Sequence, residues 1–370
     1  MAVVPFGVSL VVTLLAMTAL RPVVLKLGLV DRPGGRKFHR HDVPITGGLA
    51  MFIGMALGFL MIPELDSHFL YLLLAGGLLV AIGVLDDKFH VSARLRTLSQ
   101  LSAVLIMAFA GKFLLHDIGD PLWLETIELG PAALIGTAII TLTVINAFNF
   151  VDGIDGLGGC LALIALVSIA IVAGAGSPVA ALALVAASAV LGFLVFNFPL
   201  AANGRIRSFM GDAGSTFLGL VVVWLTISIC QGDSRTISPV TGIWFAAIPL
   251  FDIVTCCVRR VASGRSPSAP GRDHFHHILE RGGFSPLQNL GVLAGLQVVY
   301  ATFGILGHFS GISDSLMFTI WSILGIAQYS MIKFLAALHR RANWKVVKDQ
   351  LIEVSLPVTR STDKADDKAA

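Results

Sequence analysis

The chain has 370 residues, 55% of them hydrophobic and 13% charged, with a mean hydropathy of +0.84. Soluble domains carry about 25% charged residues, so an ordinary water-soluble domain is excluded and the composition reads as an all-α integral membrane protein. The net charge of +3 decides little by itself, and no nucleic-acid partner is expected.

A membrane-spanning helix needs about 20 largely apolar residues. Eleven such segments can be drawn: 3–25, 45–62, 69–86, 97–115, 131–150, 156–175, 178–198, 211–230, 238–258, 287–308 and 314–335. The first has no basic leader and no convincing cleavage site, so it reads as a retained helix. The 38 glycines suit close helix–helix approach in lipid. Cys160, Cys230, Cys256 and Cys257 lie in or beside apolar runs and read as reduced hydrophobes. Residues 1–335 form the membrane domain, and 336–370 a charged tail with a disordered end.

Alternate connections differ in charge. Those at 27–44, 87–96, 199–210, 259–286 and 336–370 hold almost all the Lys and Arg. Those at 63–68, 116–130, 174–177, 231–237 and 309–313 hold mostly acids, with Arg235 their one base. The positive-inside rule then puts the N-terminus outside, the C-terminus in the cytoplasm, and every polar cluster described below on the cytoplasmic side.

Taken in chain order, the first cluster runs from Asp31 to Gly48. A Pro/Gly turn with positive-inside charge accounts for most of it, leaving phosphate contacts through Lys37, His39 or Arg40 as the alternative. Asp86 and Asp87 close the third segment, at the unfavourable end of a helix dipole, with Arg94 and Arg96 just beyond. The pair is either a solvated helix end or a metal- or phosphate-proximal acid pair whose arginines grip an anion. Asn146, Asn149, Asp152 and Asp155 surround a glycine-punctuated break between two apolar runs. Polar groups there need water, a metal or a partner, and half of a metal–nucleotide site is the natural reading. Gly211-Asp212-Ala-Gly-Ser215 opens the eighth segment, where free backbone N–H groups suit phosphate and Asp212 suits Mg²⁺. An ordinary N-cap fits the same pattern. Asp252, inside the ninth segment, reads as functional or as a structural hydrogen-bond acceptor. In the 259–286 loop, His274, His276 and His277 lack a cysteine partner for zinc; beside Arg265, Arg272 and Arg281, a pyrophosphate contact is the better reading.

Together Asp86-Asp87, Asn146-x-x-Asn149-x-x-Asp152-Gly-Ile-Asp155, Gly211-Asp212-Ala-Gly-Ser215 and His274-x-His276-His277 resemble, in order, the signature motifs of the polyprenyl-phosphate N-acetylhexosamine-1-phosphate transferases. The resemblance covers about residues 1–335. The H-x-H-H loop is similar to the WecA-type branch, which starts O-antigen and related glycans; the peptidoglycan branch carries consecutive histidines, a pattern broken here by Phe275. The resemblance implies transfer of a sugar 1-phosphate from a UDP-N-acetylhexosamine to undecaprenyl phosphate at the inner face of the bacterial cytoplasmic membrane, releasing UMP. It implies Mg²⁺, with Mn²⁺ as a substitute, and a homo-oligomer is compatible with it. Asp212 would be the main metal ligand, with Asn149 and Asp152 beside it and Asp155 nearer the nucleotide. Asp86 and Asp87 would face the lipid phosphate. Lys37, Arg94, Arg96, Asn146, Gly211, Ser215, Arg272 and the histidines would bind substrate. Direct in-line attack is favoured over a phospho-aspartyl route. A secondary transporter fits less well, because its polar groups belong near the midplane in repeat-related pairs.

Overall fold

The computed structural model describes residues 2–32, 42–63, 65–199, 207–232, 235–266, 271 and 273–355, the last helix as backbone alone at 336 and from 338 on. Every one of the eleven expected segments is helical over most of its length. In order they are α1 (Val3–Lys26), α2 (Gly47–Leu60), α3 (Ser67–Phe89), α4 (Ala93–Leu105, prolonged by a π turn to Ala110), α5 (Ala133–Val151), α6 (Leu157–Ala173), α7 (Pro178–Asn197) and α8 (Gly211–Cys230). A broken helix follows as α9 (Pro239–Gly242), a 3₁₀ turn and α10 (Ala247–Ala262). A short helix, α11 (Phe275–Arg281), precedes α12 (Pro286–Phe309) and α13 (Asp314–Ser355). A two-stranded hairpin, β1 (Val30–Asp31) and β2 (Val43–Pro44), joins α1 to α2. Among the described residues, eight helical stretches are long and apolar enough to cross a membrane, and α2 and α6 are shorter apolar helices.

Helix α8 is the axis of the bundle, with 89% of its apolar window buried. Its neighbours are α2, α3, α5 and α6, and small residues set how close they come. A Cβ on Gly48 would strike the backbone of Gly214, and one on Gly83 the backbone of Ala213. This is close packing of the small-residue kind expected in lipid. It brings the start of α8 against the end of α3.

The fourth segment differs from its expected bounds of 97–115. Ser92 caps Leu95 N at 3.3 Å, so the helix starts at Ala93 and takes Arg94 and Arg96 into its first turn. The left-handed His90 (φ 53°) ends α3 just before. The two form a tight corner that holds Asp86 and Arg96 at one level. The ninth segment is broken at Ile243–Ala246, and the freed backbone groups are met by Gln297 from α12. Its amide donates to Trp244 O (3.1 Å) and Phe245 O (2.9 Å), and its oxygen accepts from Ile248 N (2.9 Å). Inside a membrane such a break requires an internal partner of this sort.

All the acidic motifs lie at one end of the bundle: the C-terminal ends of α3 and α5, and the N-terminal ends of α6 and α8. The opposite end is tied by the 112–130 loop, where Arg235 pairs with Asp117 at 3.0 Å.

Candidate active site

The site forms where helix ends meet, and hydrogen bonds between them define it. Gly211 begins α8 with φ +71°, and a side chain there would strike the Asp87 carboxylate. That carboxylate instead accepts from Asp212 N at 2.9 Å through Oδ1. Asp87 thus sits at the unfavourable end of the α3 dipole but caps the favourable end of α8. Its Oδ2 is buried and has no hydrogen-bond partner among the described residues. Asp86 is paired with Arg96 at 3.0 Å, and the same guanidinium lies 3.7 Å from Asp212 Oδ2. The Asn149 amide donates to Asp212 Oδ1 (2.8 Å) and to Ser215 Oγ (2.9 Å), binding α5 to α8.

Between α5 and α6 the chain turns through Asp152–Gly156. Asp152 ends α5 and accepts from Gly158 N, so it caps the helix that follows. Gly156, at φ +79°, donates its N–H to Asn197 Oδ1 at 2.7 Å, and Asn197 Nδ2 donates to Ser208 O at 2.9 Å. This links the aspartate turn to the run that opens α8. Asp155 is ion-paired with Arg207, whose guanidinium lies 5.5 Å from the Phe209 ring.

The Asn149–Asp212 hydrogen bond divides two cavities, each lined by both residues. One, of about 630 Å³, is walled by Asp86, Arg96, Gln100, Asn146, Arg260 and His274, with Leu79 and Ile82 on its apolar side. The other, of about 660 Å³, holds Asp87, Asp152, Asp155, Arg207, Phe209 and His277. Burial, then the Asp212 and Asp87 charges, push the Asp152 carboxyl up to about 7, against the Gly158 hydrogen bond. Acids crowded this way need a proton or a cation.

Among the described residues no three His, Cys, Asp or Glu side chains converge as a metal cage. Mg²⁺ does not require one, since it is held by one or two carboxylates together with substrate phosphates and water. The unpartnered Asp87 oxygen, Asp152 and Asp212 are hard oxygen donors of the type it takes, so the residues fit a Mg²⁺ ion.

The histidine loop is divided. His274 reaches the first cavity and His277 the second, where it lies 3.2 Å from Glu280. His276 is between them, 1% exposed, its Nε2 against Gly153. Burial, then the neighbouring His277, hold it down to about 3, so it is a neutral packing group. Asn146 is engaged by Gln100 at 2.9 Å, Ser215 donates to Gly211 O at 3.1 Å, and Arg94 is exposed and faces neither cavity. Lys37, His39, Arg40 and Arg272 lie outside the described residues.

An undecaprenyl-phosphate alpha-N-acetylglucosaminyl 1-phosphate transferase of Yersinia pestis is 35% identical over 291 residues, 78% of this chain and 79% of that protein. The chain belongs to the polyprenyl-phosphate N-acetylhexosamine-1-phosphate transferase family. Proteins with the same description in Escherichia coli K12 and Haemophilus influenzae are 32% and 35% identical, covering 78% and 84% of the chain and 79% and 88% of their own lengths. The glycosyl transferase family 4 pattern matches residues 69–230, which run from α3 through α8 and hold Asp86, Asp87, Asp152, Asp155 and Asp212.

Sequence reasoning missed Gln100, Asn197, Arg207 and Arg260. Arg207 had a signal, as a base in a cytoplasmic-type loop just before Phe209-Met-Gly-Asp212. Asn197 had a weaker one, as an amide in an otherwise apolar helix, and Gln100, on the more polar α4, a weaker one still.

Proposed function

We propose that this protein transfers N-acetylglucosamine 1-phosphate from UDP-N-acetylglucosamine to undecaprenyl phosphate, releasing UMP and starting a lipid-linked surface glycan. The reaction is placed at the cytoplasmic face of a bacterial inner membrane. The observation that carries this reading is the Asn149–Asp212 partition, with a base-lined cavity on either side: Arg96, Arg260 and His274 on one, Arg207 and His277 on the other. Two anionic substrates meeting over one acidic centre require that arrangement. The activity for which its relatives are named supports it.

Asp212 and Asp152, with Asn149 alongside, would hold Mg²⁺, and Asp87 lines the same cavity. Held there, Mg²⁺ would supply neutralisation of phosphate charge and Lewis-acid activation of the transferred phosphoryl group. The chain's own residues do the rest. Arg96 holds Asp86 and offers its remaining N–H groups to a phosphate. An oxygen of the lipid phosphate attacks the β-phosphorus in line, and the bond from that phosphorus to the oxygen bridging to UMP breaks. UMP leaves with that oxygen, and the lipid diphosphate sugar is the other product. A phosphate monoester has a second pKa near 6, so the attacking group is largely dianionic at neutral pH and needs no strong base. The unpartnered Asp87 Oδ2 is suited to take a residual proton. Its close packing against Gly153 suits His276 to placing the loop, beside the phosphate contact expected of the histidines.

UMP release by purified protein tests the reading, with either substrate omitted in turn. A requirement for both supports it; donor cleavage without acceptor, or none with both, contradicts it.

A further inference from the structure

Asp252 is a buried acid outside the carboxylate cluster. It lies on α10, 1% exposed, and both its oxygens are engaged by the histidine loop. Oδ1 accepts from Phe275 N at 2.6 Å, and Oδ2 lies 2.7 Å from His274 Nδ1. The other ring nitrogen of His274 lies 3.9 Å from Cys256 Sγ, one turn along the same helix. Phe150, next to Asn149 in the chain, packs on the imidazole at 5.5 Å between centroids. Asn289 of α12 donates to His276 O at 2.7 Å and secures the loop from the other side. A bare structural brace would need only the bond to Phe275 N. The second bond sets a carboxylate against Nδ1 of His274, which favours the charged ring, and fixes where the ring stands on the cavity wall.

We propose that Asp252 is a positioning residue for group transfer: it docks the histidine loop on α10 and holds His274 as a fixed cation on the wall of the Arg96 cavity, where that cation meets a substrate phosphate. This rests on the phosphoglycosyl-transfer reading above. The groups facing His274 are Asp252, Cys256 and Arg260 from α10, Asp273 beside it in the chain, His276 stacked at 5.9 Å, and Asp86, Arg96 and Asp212 across the cavity. Asp273 lies 3.5 Å from Arg260 and 3.2 Å from Arg265, so Asp252 is the acid in direct contact with the imidazole. Burial works against the charge on His274, but the bonds to Asp252 and Cys256 outweigh it and raise the group to about 9. The ordinary value is near 6.5.

The test is a histidine-selective NMR titration of the full-length protein in lipid nanodiscs, with the His274 signal assigned by its loss in His274→Gln. Asp252→Asn keeps an acceptor for Phe275 N but removes the negative charge. The expected result is that His274 titrates near 9 in the native chain and near or below about 6.5 in Asp252→Asn. In parallel, UMP release by the variant should lose about 10–100-fold in kcat/KM at pH 8, with much of the loss recovered at pH 6. An unshifted His274 titration in the variant, or a loss equal at both pH values, overturns the proposal. Should Asp252→Asn fail to fold, the native titration decides: a value at or below 6.5 overturns it and one near 9 supports it. Because the NMR readout does not depend on turnover, its failure is distinct from failure of the transferase assay.

Discussion

Asp87 does two jobs that substitutions can separate. Its Oδ1 caps α8 at Asp212 N, while its Oδ2 is buried without a partner. Asp87→Asn preserves an acceptor for the cap, and Asp87→Ala does not. We expect both to reduce UMP release by about 100-fold or more, with the alanine alone losing about 1 kcal/mol of stability. Near-normal turnover in Asp87→Asn would remove any role for the carboxylate. Asp212→Ala should abolish the Mg²⁺-dependent rate while the protein still purifies folded; residual activity with unchanged Mg²⁺ dependence would rule out the ligand assignment. His274 carries a stability signature as well. Its folded value, about 9, lies above the unfolded one, so the stabilisation it brings is complete below about pH 6.5 and is lost as pH rises through 9. Melting temperatures between pH 6.5 and 9.5 should fall further for the native chain than for His274→Gln.

At the scale of elements, the acid motifs were legible because ionisable groups in apolar sequence have few innocent explanations. Their partners were not. Asn197 meets the aspartate turn from 41 residues away, and Asp87 meets Asp212 from 125 away; no periodicity encodes such pairings. The break at Ile243–Ala246 was equally hidden, since its residues are as apolar as the helix around them, and only Gln297 in α12 hints at it. The early start of α4 followed from a signal present in the sequence, Ser92 before Ala93, which the apolar run at 97–115 obscured. Small residues turned out to set the site's geometry. Gly83→Val should force α3 from α8 and separate Asp87 from Asp212 N, at a cost of about 1–3 kcal/mol, read as a lower melting temperature together with lost turnover.

For the molecule as a whole, the arrangement requires that every catalytic helix end reach the same side of the membrane. The eleven crossings with the N-terminus outside that loop charge leads us to propose would give that result, although α2 and α6 are short for a core of about 30 Å and α4 carries two arginines. Single cysteines introduced at Thr126 and Ser263, in a background lacking the four native ones, test it with a membrane-impermeant thiol reagent on intact cells. Thr126→Cys should label without permeabilisation and Ser263→Cys only after it; labelling of both from one side would break the topology.

In the proposed reaction two anionic substrates meet across the Asn149–Asp212 partition. Its most direct test is UMP formation by purified protein given Mg²⁺, UDP-N-acetylglucosamine and undecaprenyl phosphate. UMP and lipid diphosphate sugar should form in equal amounts, and only when all three are present. UMP formed without the lipid acceptor, or no lipid-linked product with all three, would contradict it.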